Sequence, residues 1–150
     1  MNGSLPGQKL PVRILIAEDN PYDVVLLQEA LCACDWSPNF QVVQDGARLL
    51  ECLANSAGTP NFDLLIVDAN LPRKSTRDVL GVMRASKVSV GAPVVVISSV
   101  LAPAQINEFL ALGVDLVLTK PFELAGYAHL ATKVASLVSS LKGESESNPQ

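Results

Sequence analysis

Acidic residues follow two apolar runs of this chain, each at the point where a buried strand would end. Val12–Ala17 leads into Glu18 and Asp19, and Leu64–Val67 leads into Asp68. In an open parallel sheet, ligands bind at the carboxyl ends of the strands. If the two strands are neighbours, the three carboxylates converge and repel one another, and a divalent cation would neutralise them. The spacing therefore indicates a small metal site.

Two further polar side chains follow later apolar runs. Ser98 comes after Val94–Ile97, and Lys120 comes shortly after Val114–Leu118. A carboxylate nucleophile can form an acyl phosphate, and a cation, a lysine and a serine hydroxyl can stabilise the phosphoryl oxygens. Hard oxygen ligands with one or two direct carboxylates suit Mg²⁺. The set is therefore typical of phosphoryl transfer to a carboxylate such as Asp68.

Strand-like and helix-like segments alternate along the chain and must position these side chains. Short apolar runs predict five strands, and apolar stripes at helical spacing predict a helix after each, with the strands at 12–17, 40–43, 62–68, 94–97 and 114–118. This alternation predicts an α/β fold, (βα)5, with a five-stranded parallel sheet covered on both faces. In the doubly wound, flavodoxin-like order 2-1-3-4-5, the first and third strands are neighbours and the polar strand ends share one rim.

The composition limits the class of protein. The 150 residues suit one domain, and 49% hydrophobic against 17% charged residues favours a globular fold over disorder. A net charge of −4 and a pI near 4.9 argue against non-specific nucleic-acid binding. No apolar stretch could span a bilayer and no signal peptide is recognisable, so we expect a cytoplasmic protein. We expect a flexible segment at 1–10, a domain at 11–142 and a disordered polar tail at 143–150.

Four runs at predicted strand ends carry a resemblance to a known family. In order and spacing they resemble the receiver domain of two-component response regulators, and they are Ile14–Asn20, Leu65–Pro72, Val95–Ser99 and Thr119–Phe122. The resemblance extends over about residues 11 to 141. Glu18–Asp23 and Leu71–Lys74 more narrowly resemble stand-alone regulators that are partnered with bacterial phytochrome kinases.

The resemblance implies a phosphoacceptor and a metal site. Asp68 would be the residue that is phosphorylated. Asp19 and Asp68 would bind Mg²⁺ directly, together with the backbone carbonyl of Asn70, and Glu18 would act on the metal mostly through water.

The resemblance also implies residues that respond to the phosphoryl group. Ser98 would move towards that group and Lys120 would pair with it, while the small Ser99 would leave room for the phosphoryl donor. A cis peptide is implied between Lys120 and Pro121. Val117 departs from the family, which usually has an aromatic residue three positions before the lysine, so an aromatic version of the switch is not expected.

The expected function is signalling, with self-phosphorylation and self-dephosphorylation as its only enzymatic activities. A sensor histidine kinase, such as a phytochrome-like one, or a phosphotransfer protein would be the partner, and neither nucleic acid nor membrane is expected to bind. Phosphorylation would change the surface formed by the fourth helix, fifth strand and fifth helix. An exposed apolar patch on the last helices would permit a homodimer.

Three other functions fit parts of the same pattern. A small phosphatase with an aspartyl nucleophile would use the same fold and metal, but its usual second Asp is Asn70 here, which cannot transfer a proton. A flavin or dinucleotide binder would need a G-x-G-x-x-G or another phosphate loop after the first strand, and neither is present. A receiver-like module that binds partners without phosphorylation also stays open, although the complete set of acids, hydroxyl and lysine argues against it.

Overall fold

Five strands and five helices alternate in the computed structural model, which describes residues 9–55, 61–86 and 92–147. The strands are β1 (Pro11–Ala17), β2 (Ser37–Val43), β3 (Leu64–Asp68), β4 (Val94–Ser98) and β5 (Leu116–Thr119). The helices are α1 (Pro21–Cys32), α2 (Gly46–Ala54), α3 (Thr76–Ser86), α4 (Pro103–Ala111) and α5 (Leu124–Ser147). The predicted (βα)5 alternation is confirmed.

The strands form one parallel sheet in the order β2-β1-β3-β4-β5. This confirms the predicted doubly wound α/β fold. Ala17 of β1 pairs with Val67 of β3, so Glu18 and Asp68 are the next residues along two adjacent strands. Both side chains therefore leave the sheet at the same edge, which is the topological switch point of the fold.

Helices cover the sheet on both faces. Every residue of β3 and β4 is buried, as is typical of a parallel sheet enclosed by helices. Successive residues of a strand point to opposite faces. Leu15 accordingly belongs to the core on the side of α2 and α3, and Ile14 belongs to the core on the side of α1 and α5. The site at the sheet edge is thus built on a rigid framework.

Side-chain caps begin the helices next to this edge. Asn20 accepts a hydrogen bond from the Tyr22 N–H and precedes Pro21 at the first position of α1, which is a typical start of a helix. Asp45 accepts from the Arg48 N–H at 2.7 Å at the start of α2. These caps turn the chain sharply from strand to helix.

Some element boundaries differ from those predicted. β2 begins at Ser37 because it pairs with β1 along its whole length, which overrides the turn signal of Pro38 and Asn39. α5 continues to Ser147, so the backbone of 143–147 is helical where a disordered tail was expected. Gly143 does not end the helix, since one glycine costs only about 1 kcal/mol relative to alanine. Residues 1–8 of the expected flexible segment and the end of the tail, 148–150, lie outside the described residues.

Within the described ranges, no helix combines the length and apolarity needed to cross a bilayer.

Candidate functional site

Three carboxylates meet where β1 and β3 end. Glu18, Asp19 and Asp68 each provide an oxygen, and these oxygens lie within 4.8 Å of one another. Glu18 is 2% exposed and Asp68 is 6% exposed, whereas Asp19 faces solvent. The structure therefore brings together the three acids that the sequence singled out.

Glu18 is buried among charged groups. Its Oε2 accepts a hydrogen bond from the Asn20 N–H at 3.0 Å, and its buried Oε1 lies 2.7 Å from the Lys120 Nζ. Burial, and then the neighbouring Asp68, raise the pKa of Glu18 to about 7, although Lys120 and the Asn20 N–H lower it. Three carboxylates that offer oxygens within 4.8 Å of one another are a donor set that suits a hard divalent cation.

Three carboxylates surround the ammonium group of Lys120. Its Nζ lies 2.5 Å from Asp68 Oδ2, 2.7 Å from Glu18 Oε1 and 2.9 Å from Asp23 Oδ2. Burial lowers the pKa of Lys120, but the hydrogen bonds to Asp68, Glu18 and Asp23 outweigh burial and raise the pKa above its ordinary value. The lysine therefore stays positively charged at neutral pH.

Backbone groups fix the positions of Asp68 and Ser98. The Asn70 N–H donates to Asp68 Oδ1 at 2.7 Å, and Asp68 pairs with Ile97, the residue before Ser98, across β3 and β4. Ser98 is buried and its Oγ donates to the Val100 carbonyl at 3.1 Å. The hydroxyl is therefore close in register to Asp68 but is engaged elsewhere in this structure. The side chain of Ser99 is exposed at the same edge.

The β5 end of the site includes one correction. The peptide between Lys120 and Pro121 is trans, as are the other described peptides, so the implied cis bond is wrong. Even before proline the trans form is favoured by about 0.5–1 kcal/mol. Pro121 packs on Gly126, where an added Cβ would lie 2.4 Å from the proline ring. Val117 is half-buried against the core, so β5 offers no aromatic ring at that position.

Two residues that the sequence analysis did not select also contribute to the site. Asp23 pairs with Lys120, and the buried Thr76 donates from Oγ1 to the backbone carbonyl of Asp68 at 2.6 Å. An acid in the first turn of a helix usually only complements the helix dipole, so the sequence does not identify Asp23 as part of the site. Its position was the available signal, because Asp23 lies in the first turn of the helix that directly follows the acidic end of β1.

Comparison with known proteins places these features in a family. Residues 14–131 match the family model described as the response regulator receiver domain. The chain is 29% identical over 121 residues to the autoinducer 2 sensor kinase/phosphatase LuxQ of Vibrio vulnificus, a match that covers 78% of this chain and 13% of LuxQ. It is 28% identical over 113 residues to the response regulator Rcp1 of Synechocystis sp., which covers 73% of this chain and 77% of Rcp1.

Solved structures give the same result. The phosphorylated cyanobacterial phytochrome response regulator RcpA superposes with a TM-score of 0.70 at 29% identity, over 82% of this chain and 90% of RcpA. The Mn²⁺-bound form of Rcp1 superposes with a TM-score of 0.71 at 26% identity, over 84% of this chain and 93% of Rcp1. Both the receiver resemblance and the narrower resemblance to phytochrome-associated regulators are confirmed.

Proposed function

This chain belongs to the response regulator receiver domain family, and from that premise we propose that it signals by accepting a phosphoryl group on Asp68. The observation that carries the proposal is the arrangement around Asp68. One oxygen of its carboxylate pairs with the Lys120 ammonium at 2.5 Å, and two further acids lie beside it. This arrangement provides a nucleophile, a fixed positive charge and ligands for a cation in one place.

The three acids are the proposed ligands of Mg²⁺. Asp19 and Asp68 would bind directly with the backbone carbonyl of Asn70, and Glu18 would act mostly through water. An all-oxygen donor set with few direct carboxylates suits Mg²⁺, and the existence of a Mn²⁺-bound form of the similar protein Rcp1 supports the binding of a divalent cation. When bound, the cation shields the phosphoryl oxygens from the surrounding carboxylates.

The polar side chains at the carboxyl end of the sheet would each have one role in the phosphoryl transfer. An oxygen of Asp68 forms a bond to phosphorus while the bond between phosphorus and the donor's leaving group breaks. Lys120, whose raised pKa keeps it protonated, pairs with the transferred phosphoryl oxygens. The Ser98 hydroxyl would rotate away from the Val100 carbonyl and donate to the same oxygens. Ser99 would leave room for the donor.

The proposed phosphoryl donor is a sensor histidine kinase, of the phytochrome-associated kind, or a phosphotransfer protein. The similarity to Rcp1, RcpA and LuxQ supports this class of partner. The proposed output surface is α4, β5 and α5, where Leu110, Phe122 and Leu124 are exposed apolar residues that a partner or a second copy could cover. A kinase of this class would place the protein in the cytoplasm.

Intact-mass measurement tests the proposal. Incubation with Mg²⁺ and acetyl phosphate should add one phosphoryl mass per chain, and Asp68→Asn should abolish the addition. Asp35→Asn, which changes an exposed acid near the end of α1, is the matched control and should leave the addition intact.

Two other outcomes would support different functions. Multiple turnover of p-nitrophenyl phosphate without a retained phosphoryl group would support a phosphatase with an aspartyl nucleophile. The absence of both phosphorylation and turnover would support a module that binds partners without phosphorylation.

A further inference from the structure

Asp23 differs from the other carboxylates that contact Lys120. Its Oδ2 accepts a hydrogen bond from the Lys120 ammonium at 2.9 Å, but within the described part of the chain it does not belong to the three-acid cluster that could hold a metal ion. Lys120 therefore has two kinds of partner. Asp68 and Glu18 could also bind a cation, whereas Asp23 contacts the lysine from outside the acid cluster.

The lysine and a divalent cation require the same oxygens. The Lys120 Nζ lies 2.5 Å from Asp68 Oδ2 and 2.7 Å from Glu18 Oε1, and both residues belong to the acid cluster. A cation that binds these carboxylates puts like charges side by side and repels the ammonium group. Because the Lys120 side chain is only 11% exposed, an ammonium that lost all of its carboxylate partners would be poorly solvated.

We propose that Asp23 is a positioning residue that retains the Lys120 ammonium when a divalent cation occupies the acid cluster. Asp23 thereby lowers the cost of displacing Lys120 from Asp68 and Glu18, and it keeps the lysine at the rim, where a phosphoryl group would need it. The inference rests on the proposed function, because it assumes that the acid cluster binds a cation.

The surroundings of Asp23 hold its carboxylate in place. Asp23 lies between the capping residue Asn20 and the buried Val24, so the first turn of α1 is anchored on both sides. Tyr127, buried on α5, is close enough that the charge of Asp23, after burial, raises the pKa of its hydroxyl. Asp23 thus lies in the first turn of α1, close to both the Lys120 ammonium and the Tyr127 hydroxyl.

The backbone of Lys120 is fixed as well. Its N–H donates to the Ser98 carbonyl at 2.7 Å, which continues the pairing of β4 and β5. The long, flexible stem of the lysine can still move its ammonium group away from Asp68 and Glu18 while it keeps the contact with Asp23, without any change in the backbone. The exchange of partners thus requires only side-chain rotation.

A double-mutant cycle on magnesium affinity tests this role. Isothermal titration calorimetry with MgCl₂ would compare the wild type with Asp23→Asn, Lys120→Met and the double variant. We expect Asp23→Asn to weaken magnesium binding about tenfold. This factor is at the lower end of the effects expected when a hydrogen bond between charged groups is lost. In the Lys120→Met background, the same substitution should change the Kd less than about twofold, because no ammonium remains to be retained.

Two controls separate this role from simpler ones. Glu29→Gln removes one negative charge from the exposed side of the same helix and should leave the Kd close to that of the wild type. Asp23→Glu keeps the carboxylate and should restore most of the lost affinity, which also guards against a general folding defect of Asp23→Asn.

Three results would overturn the inference, and they are distinguishable. An equal effect of Asp23→Asn in both Lys120 backgrounds would show a long-range effect of charge. An unchanged Kd with a lowered melting temperature would show that Asp23 only anchors α1 to β5. Failure of the wild type to bind magnesium would overturn the proposed metal site itself, and the inference with it.

Discussion

At the scale of single residues, the carboxyl end of the sheet holds more negative charge than Lys120 can neutralise. Glu18, Asp23 and Asp68 contact Lys120, and Asp19 lies beside Glu18 and Asp68 in the acid cluster. Glu18 and Asp68 are almost completely buried. Buried charges of one sign are costly unless they are paired or protonated. The structure shows both responses, since Lys120 pairs with three carboxylates and the pKa of Glu18 is raised to about 7.

Magnesium affinity should therefore depend on pH near neutrality. Glu18 must lose its proton before it can help to bind a cation, because its pKa is raised to about 7 by burial and by Asp68. We expect the affinity to rise from about pH 6 to about pH 8, with protons released on binding. Titration calorimetry in buffers of different ionisation enthalpy measures both quantities, and Glu18→Gln should remove the dependence. A Kd that stays constant over this range would contradict the assignment.

The residues of the site were predictable to different degrees. Glu18, Asp19, Asp68, Ser98 and Lys120 follow apolar runs, and strand ends are recognisable because buried strands read as continuous hydrophobic segments. Asp23 and Thr76 were missed because each lies inside a helix, where sequence does not show which strand end the side chain faces. Their roles depend on packing between elements that are distant in the chain.

At the scale of elements, the loop that follows Asp68 depends on the first residue of α2. The Gly46 N–H donates to the Pro72 carbonyl at 3.1 Å, and a Cβ at Gly46 would lie 1.9 Å from the carbonyl oxygen of Lys74. The loop passes so close to α2 that only glycine fits there. In the same loop Arg73 has a φ of 71° and pairs with Asp45, the cap of α2, at 3.7 Å.

Two glycine-to-alanine changes should have opposite effects on stability. Gly46→Ala should lower the free energy of unfolding by roughly 1–3 kcal/mol, because the Lys74 backbone must move. Gly81→Ala is the matched control, since Gly81 lies inside α3 and an added Cβ would have no neighbour within 4 Å. It should raise the free energy of unfolding by about 0.5–1 kcal/mol. Urea unfolding measures both, and stabilisation by Gly46→Ala would contradict the close approach.

The kinds of element were easier to predict than their ends. Hydrophobic periodicity identified every strand and helix, because each buries one or two apolar faces. The starts of β2, β3 and β5 and the end of α5 were missed. Those boundaries are decided by pairing with a neighbouring strand or by continued helical hydrogen bonding, and neither leaves a local pattern in the sequence.

At the scale of the whole molecule, the topology concentrates the charge in one place. The order β2-β1-β3-β4-β5 brings the ends of β1 and β3 together, and β4 and β5 add Ser98 and Lys120 on the same side. This order followed from general rules for doubly wound sheets and was predictable. The isomer of the Lys120–Pro121 bond was not, because the two forms differ by only about 0.5–1 kcal/mol and local packing decides between them.

Without metal, the domain should become less stable as the pH rises towards neutrality. The folded-state pKa of Glu18, about 7, lies above its ordinary value of 4.5, so the folded state binds this proton more tightly than the unfolded state. Its contribution to stability is complete below the ordinary value and is lost as the pH rises through about 7. The raised pKa of Lys120 does not make the free energy of unfolding depend on pH in this range, because this lysine is protonated in both the folded and the unfolded state.

Fluorescence of Trp36 during urea unfolding provides the measurement, since it is the one tryptophan of the chain and is buried. In EDTA, the free energy of unfolding should fall as the pH rises from about 5 to about 7.5. When Mg²⁺ replaces EDTA, it should offset more of this loss at the higher pH. Glu18→Gln should flatten the profile in EDTA. A free energy of unfolding that rises over this range would contradict the raised pKa of Glu18.

The position of the phosphoryl group tests the central claim most directly. After treatment with Mg²⁺ and acetyl phosphate, borohydride reduction converts an aspartyl phosphate into homoserine, which peptide mass spectrometry can locate. The label should appear at Asp68, and no other acid of the rim should carry it. Labelling of Glu18, Asp19 or Asp23 while Asp68 stays unmodified would contradict the account.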